Sequence, residues 1–182
     1  HLKKCGLKHP EYFHPEGENI PLPNDLKFPV IVKPLEADTG NGIQVIHDKK
    51  LLPYAIENAK AVSRDRKCLV EEFKPGTLHS VSCFIRDSKI IRAFIVDEYC
   101  TDYPYAVNES NFPSRLPDRI KLQAVADVQA LIDSLGMVDG LLHVQIIFHG
   151  QKIYLIESMR RMPGDFYGKL ISLSTNYAYY ED

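Results

Sequence analysis

Two neighbouring segments decide the fold of this chain: Phe28-Pro-Val-Ile-Val-Lys33-Pro34 and, five residues later, Thr39-Gly40-Asn41-Gly42. An apolar run that ends in one lysine before a proline predicts a buried strand that delivers a single cation to its end. Glycines in the following turn let backbone N–H groups approach an anion without a Cβ in the way. The pair is typical of a phosphate-binding loop, but the same pattern also occurs without a ligand. Other signals in the sequence must therefore show whether this pair binds phosphate.

Composition limits the classes of protein that this chain can form. Its 182 residues are 45% hydrophobic and 25% charged, which predicts one folded domain or two small lobes. A net charge of −2 and a pI of about 6.4 give no basic surface of the kind that nucleic acids or anionic membranes need. We therefore expect neither a nucleic-acid partner nor a membrane partner.

The cysteines and the termini bear on location. Cys5, Cys68, Cys83 and Cys100 lie far apart, without CxxC or Cys/His spacing, and indicate reduced thiols in a cytoplasmic protein rather than a zinc site. No apolar run approaches the ~20 residues that span a bilayer, and no signal peptide opens the chain. Because the first residue is His rather than Met, we expect a piece of a longer protein.

Periodicity predicts a lead-in segment and two lobes. Residues 1–25 are broken by prolines and are interpreted as the end of a helix and a linker. A small α+β lobe covers 26–74 and a larger lobe covers 75–182. The small lobe is predicted to contain strands at 28–33, 42–47 and 68–73 and a helix at 50–63, with Leu52, Ile56, Ala59 and Val62 on its buried face.

The large lobe begins with a predicted hairpin of residues 78–85 and 90–98. A proline-interrupted segment, 102–117, is predicted to be a mobile loop. The helix that follows ends before Gly136, and a second hairpin of residues 141–148 and 152–158 precedes a last short helix at 166–174. We expect the long helix to cover a sheet with an apolar stripe made of Leu122, Val125, Val128, Ile132 and Leu135.

Two polar residues, Gln145 and Glu157, interrupt the apolar runs of the second hairpin. If His149-Gly150-Gln151 is a three-residue loop, His143 faces Glu157, and Gln145 and Glu157 share one face as diagonal neighbours. A two-residue loop would place them on opposite faces. An amide oxygen beside a carboxylate suits Mg²⁺, whereas the alternative is a solvent-facing Gln and a Glu that ends a strand.

Two further segments carry chemistry. Arg160 and Arg161 follow the proposed metal pair at once, and guanidinium groups suit phosphate or carboxylate; the alternative is a charged surface turn. Earlier, Glu71-Glu72-Phe73-Lys74 ends a strand between the lobes. Such a strand can present backbone groups to an adenine edge and an acid to the ribose, although an ordinary charged strand end has the same sequence.

The order of these signals is more specific than any one of them. Val-Lys33-Pro, the glycine turn, Val-Glu71-Glu-Phe-x-x-Gly76, the polar residue 145 and Glu157-x-x-x-Arg161-x-Pro-Gly164 follow one another along the chain. This order resembles the nucleotide-binding part of the ATP-grasp superfamily over about residues 20–175, closest to its carbamoyl-phosphate-synthase-like, carboxylate–amine ligase branch.

The resemblance implies an α+β fold in which two lobes with mainly antiparallel sheets clasp ATP. It also implies an enzyme that joins a small-molecule carboxylate to an amine through an acyl-phosphate. The family's preceding α/β domain is lacking here, so we expect the missing N-terminal domain of the same protein as a partner. The oligomeric state stays open.

Carried over by position, the resemblance assigns roles to single residues. Lys33 would hold the α/β-phosphates under a flap formed by Thr39, Gly40, Asn41 and Gly42.

The remaining roles concern adenine, ribose and metal. Glu72 and Lys74, on either side of Phe73, would bind adenine through their backbones, and Glu71 would approach the ribose. Gln145 and Glu157 would hold Mg²⁺. Arg161, with Arg160 beside it, would stabilise the charge on the transferred phosphoryl group.

Two positions depart from the family pattern. Met159 stands where an Asn usually supplies a metal oxygen, and Leu78 stands where a Glu often lies near the ribose. They keep a second interpretation open, a degenerate nucleotide-binding or regulatory module without catalysis. A plain α+β interaction domain is the third.

Overall fold

The computed structural model describes residues 1–15, 26–37, 40–102 and 104–180 and divides into two compact units. The large unit contains His1–His9, Pro75–Tyr99 and Asn108–Asp182, and the small unit contains Pro10–Lys74 and Cys100–Val107. The first nine residues therefore join the large unit instead of a linker. Among the contacts that hold them there, the N–H of Leu155 donates a hydrogen bond to the carbonyl of Lys8 (3.0 Å), and Leu2 and Leu7 pack on the core of the large unit.

The small unit is a four-stranded antiparallel sheet in the order β1-β4-β2-β3. Its strands are Tyr12–Phe13 (β1), Val30–Pro34 (β2), Gln44–Ile46 (β3) and Cys68–Glu72 (β4). A short 3₁₀ turn, Lys49–Leu51, leads into helix α1, Leu52–Val62. β1 lies within the predicted linker, where Tyr12 and Phe13 pair with Glu71 and Val70.

The core of the small unit lies between α1 and the sheet. Val30 and Val32 of β2 are fully buried, as expected for an apolar strand at the centre of a sheet. The buried residues of α1 are Leu52, Ala55, Ile56 and Ala59. The predicted face was thus right except for Val62, which is 37% exposed at the last turn, where the helix ends.

The large unit is a five-stranded antiparallel sheet in the order β7-β6-β5-β8-β9. Its strands are Thr77–Arg86 (β5), Lys89–Tyr99 (β6), Glu109–Asn111 (β7), Gly140–His149 (β8) and Lys152–Met159 (β9). Its helices are Asp118–Leu135 (α2) and Tyr167–Thr175 (α3). β7 corrects the prediction of an irregular loop at 102–117, because residues 109–111 pair with the end of β6.

The two faces of this sheet carry different cores because side chains alternate along each strand. On one face, Val81, Cys83, Val144 and Ile146 pack in the cluster that contains α2. On the other face, an aromatic cluster with α3 contains Phe84, Phe94, Val96, Tyr167, Ile171 and Tyr179. Within the described ranges, none of the helices is long and apolar enough to cross a membrane.

Helix α2 buries a stripe that differs from the predicted one. Its buried residues are Ile120, Ala124, Val128, Leu131 and Ile132. Leu122 is 73% exposed and Leu135 is 40% exposed, so both assignments were wrong. The apolar pattern of α2 fits two overlapping stripes, and the small Ala124 belongs to the one that faces the sheet.

This stripe predicts unequal costs for two substitutions in the same helix. Ile132→Ala removes a fully buried side chain and should lower the free energy of unfolding by about 3 kcal/mol. Leu122→Ala should change it by no more than about 0.5 kcal/mol, since that side chain is mostly in solvent. Urea unfolding of both variants measures the difference, and equal losses would contradict the observed stripe.

Candidate functional site

Lys33 and Glu71, two residues predicted for different parts of a nucleotide, form an ion pair in the small unit. They lie on neighbouring strands, where Ile31 of β2 is directly opposite Glu71 of β4. The Lys33 side chain is 23% exposed and that of Glu71 only 9%. A phosphate that approached the lysine would therefore compete with a carboxylate that is nearly buried.

The end of β4 and the residues after it already use backbone N–H groups in hydrogen bonds. The N–H of Glu72 donates to the carbonyl of Glu11 (2.8 Å), and the N–H of Phe73 donates to that of Pro29 (3.1 Å). Lys74 forms an ion pair with Glu72 (2.5 Å). Adenine contacts from Glu72 or Phe73 would therefore use their carbonyl oxygens as acceptors.

The glycine turn needs glycine for both conformation and space. Gly40 and Gly42 have φ angles of +73° and +77°, in the left-handed region. A Cβ on Gly40 would lie 2.9 Å from the carbonyl oxygen of Tyr105, and one on Gly42 would lie 2.8 Å from Cγ of Pro34. Asn41 between them is exposed, while Thr39 lies outside the described residues.

In the large unit, strands β8 and β9 bring Gln145 and Glu157 directly opposite each other. The predicted register was wrong: the loop has two residues, because His149 pairs with Lys152, and His143 pairs with Met159. A shift of register between Gln145 and Ile146 compensates, so the two polar side chains still share one face. The pairing is direct rather than diagonal.

Glu98 of β6 joins this face, and the sequence reasoning missed it. Its side chain is 4% exposed, and Gln145 Nε2 donates to its Oε2 at 2.8 Å. Burial raises the pKa of Glu98, and the nearby carboxylates of Asp165 and Glu157 also raise it, against hydrogen bonds from Ser80 and Gln145. The available signal was the pair of carboxylates, Asp97 and Glu98, that follows the apolar run 93–96 of β6.

The two arginines are held differently. Arg160 donates to the carbonyl of Asp139 (3.2 Å), whereas Arg161 donates to that of Met162 (3.1 Å). Burial lowers the pKa of His143 to about 4, with Asp165 opposing and Arg161 adding to the change. Because His143 lies two residues before Gln145 on β8, Arg161 is close enough to that face to act on its charges.

The donor set on this face is rich in oxygen and poor in nitrogen. Among residues in the described ranges, no group of at least three His, Cys, Asp or Glu side chains could hold a metal ion. Gln145 and Glu157 place an amide and a carboxylate side by side on this face, and Met159 adds no oxygen. Amide and carboxylate oxygens suit a hard cation that completes its shell with phosphate or water.

Comparison with known proteins assigns this architecture to a family. The model of the ATP-grasp domain matches residues 1–164. The C-terminal section of the carbamoyl phosphate synthase large chain of Aquifex aeolicus is 24% identical over 172 residues, with 85% of this chain and 29% of that protein covered.

Two solved structures share the fold. Biotin carboxylase from Campylobacter jejuni, in its β,γ-ATP complex, superposes with a TM-score of 0.83 at 15% identity, with 98% of this chain and 42% of that one covered. The L-amino acid ligase of Bacillus licheniformis gives a TM-score of 0.77 at 20% identity, with 98% and 43% covered.

This chain belongs to the ATP-grasp family, in its carbamoyl-phosphate-synthase-like branch. It spans 29% of the length of the Aquifex relative and less than half of the biotin carboxylase and L-amino acid ligase chains. The α+β architecture with antiparallel sheets, predicted from the sequence, is confirmed.

The crowding at Gly40 predicts a specific sensitivity of the turn. Gly40→Ala adds a Cβ at a positive φ and against a backbone carbonyl, so it should destabilise the chain by about 2 kcal/mol. Gly150→Ala is the matched control, because Gly150 also has a positive φ of 54° but no atom within 4 Å of its ideal Cβ. Chemical denaturation should show the larger loss for Gly40, and equal losses would mean that the contact with Tyr105 is unimportant.

Proposed function

We propose that this chain is the ATP- and Mg²⁺-binding domain of a ligase that activates a carboxylate as an acyl-phosphate for attack by an amine. The observation that carries the proposal is the direct pairing of Gln145 with Glu157 on one sheet face, in a chain of the ATP-grasp family. ATP-dependent ligases such as L-amino acid ligase share the fold.

The residues present fit a magnesium ion. Gln145 and Glu157 offer an amide and a carboxylate oxygen from adjacent strands, and the buried Glu98 adds negative charge beside them. Bound Mg²⁺ would supply neutralisation of phosphate charge. Arg161, with Arg160 next to it, would add a guanidinium that stabilises the charge on the transferred phosphoryl group.

The nucleotide is assigned to residues of the small unit. Lys33 would exchange its ion pair with Glu71 for the α/β-phosphates, which frees Glu71 for the ribose hydroxyls. The turn made of Thr39, Gly40, Asn41 and Gly42 would cover the phosphates with backbone N–H groups.

The end of β4 and the segment after it would bind adenine. In this assignment Glu72 and Phe73 contribute carbonyl oxygens, since their N–H groups are already used, and Lys74 ends the segment.

Catalysis by such a domain rests on positioning and charge neutralisation, and no covalent protein nucleophile is required. The substrates would be a small-molecule carboxylate and an amine, bound in part by another domain of the same protein. The free thiols of the four cysteines suit a cytoplasmic setting.

Two positions favour a second candidate, a degenerate nucleotide-binding or regulatory module without catalysis. Met159 gives no oxygen to the metal face, and Leu78 gives none to a ribose. Such a module would bind ATP without help from Mg²⁺ or would not bind it.

Thermal unfolding with ATP, with and without Mg²⁺, tests the proposal. A ligand at a hundred times its Kd stabilises the folded state by about 2.7 kcal/mol, enough to raise the Tm by several degrees. We expect a Mg²⁺-dependent rise that Lys33→Met and Glu157→Gln both abolish. Lys67→Met and Glu57→Gln, which change side chains that are 70% and 65% exposed, should leave the rise unchanged.

The outcomes separate the candidates. A rise that depends on Mg²⁺ and on both site residues supports the ligase domain. A rise in Tm with ATP alone, unchanged by Glu157→Gln, supports the module without catalysis. No rise in the parent chain contradicts nucleotide binding by this chain.

A further inference from the structure

Glu98 and Gln145 meet across an intervening strand. β5 lies between β6 and β8, and on it Leu78 is opposite Glu98 whereas Ser80 is opposite Gln145. The Gln145 side chain therefore reaches over β5 diagonally to make its 2.8 Å hydrogen bond. A contact of this kind commits both side chains to one geometry.

The chemistry of the pair decides which end of the amide faces Glu98. An ionised carboxylate only accepts hydrogen bonds, so the NH₂ group of Gln145 must face it. The carbonyl oxygen of Gln145 is then on the other branch of the amide, turned away from Glu98. With Glu157 directly opposite on β9, this oxygen is left for an incoming cation.

Asp97, the residue before Glu98, shows that the sheet can surround a buried carboxylate with hydrogen-bond donors. Asp97 accepts hydrogen bonds from His79 Nδ1 (2.8 Å), Ser114 Oγ (2.5 Å) and the N–H of Arg115 (3.1 Å). Burial opposes its ionisation, but these donors outweigh burial and lower the pKa of Asp97.

Glu98, on the opposite face, has fewer hydrogen-bond donors. Its side chain is 4% exposed and accepts a hydrogen bond from Gln145, and its ion-pair candidate among the described residues is His143, with Nε2 at 3.8 Å from Oε1. That distance is too long for a hydrogen bond. A buried carboxylate with so few close partners is costly. A cation bound beside it would offset this cost.

We propose that Glu98 is a positioning residue for the metal: it holds the amide NH₂ of Gln145 and so presents the Gln145 carbonyl oxygen as a ligand. This inference rests on the proposed function. Partners behind a ligand orient it, and their loss typically weakens metal affinity by about 10- to 100-fold.

The test follows the Mg²⁺ dependence of ATP binding by thermal unfolding in four variants. Glu98→Leu removes the acceptor, and Gln145→Glu sets two carboxylates against each other; each should weaken the Mg²⁺-dependent gain in ATP affinity by about tenfold or more. The double variant Glu98→Gln/Gln145→Glu exchanges the amide and the carboxylate, so it keeps the hydrogen bond and an oxygen ligand. It should recover affinity that the Gln145→Glu variant lost.

The control is Glu109→Leu, which removes an exposed carboxylate from the edge strand β7 and should leave the Mg²⁺ dependence unchanged. ATP binding without Mg²⁺ should be the same in Glu98→Leu and Glu109→Leu as in the parent. That readout distinguishes a metal effect from general damage, which would weaken both.

Two results would overturn the role of Glu98 while the proposed function stands: Glu98→Leu responds to Mg²⁺ as the parent does, or the double variant recovers nothing relative to Gln145→Glu. No Mg²⁺ dependence in the parent chain overturns the proposed function and this inference with it. Loss restored by the double variant supports both.

Discussion

Glu157 lies on its observed face of the large sheet because β9 contains one residue more than strict pairing with β8 allows. The two-residue turn after His149 would pair Gln145 with Ile156 and send Glu157 to the face that α2 covers. The register shift places Ile156 in a bulge and brings Glu157 opposite Gln145. Without it, a carboxylate would point into an apolar core, which costs several kcal/mol when it is unpaired.

The same alternation divides the polar residues of strand β6, which lies beyond β5 in the sheet. Asp97 faces α2 and ties the segment with Ser114 and Arg115 to the sheet, whereas Glu98 faces the side of Gln145. Their pKa shifts are opposite: donors outweigh burial at Asp97, and burial outweighs donors at Glu98. The fold thus stabilises the Asp97 carboxylate with its own hydrogen bonds, whereas Glu98 lies where a further positive charge would stabilise it.

The sequence predicts what depends on local pattern and misses what depends on packing. Alternation and turn residues locate the long strands and the end of α2 at Gly136. Nothing at Ile156 announces a bulge, since a β-branched residue suits a regular strand equally well. The stripe of α2 and the strand β7 are likewise settled by the sheet on which they lie. Glu98 was visible as one of two acids after an apolar run, but its partner lies 47 residues away.

The two residues that depart from the family pattern each lie opposite an ionisable residue of a neighbouring strand. Leu78 is directly opposite Glu98, and Met159 is directly opposite His143. Each apolar residue therefore pairs with a buried ionisable side chain on the Gln145 face. Cross-strand partners share an environment, so Glu98 and His143 are the polar side chains at these two pairs. Because this face keeps polar side chains on β6 and β8, the metal dependence of nucleotide binding, more than the identity of residue 159, decides between a ligase domain and an inactive module.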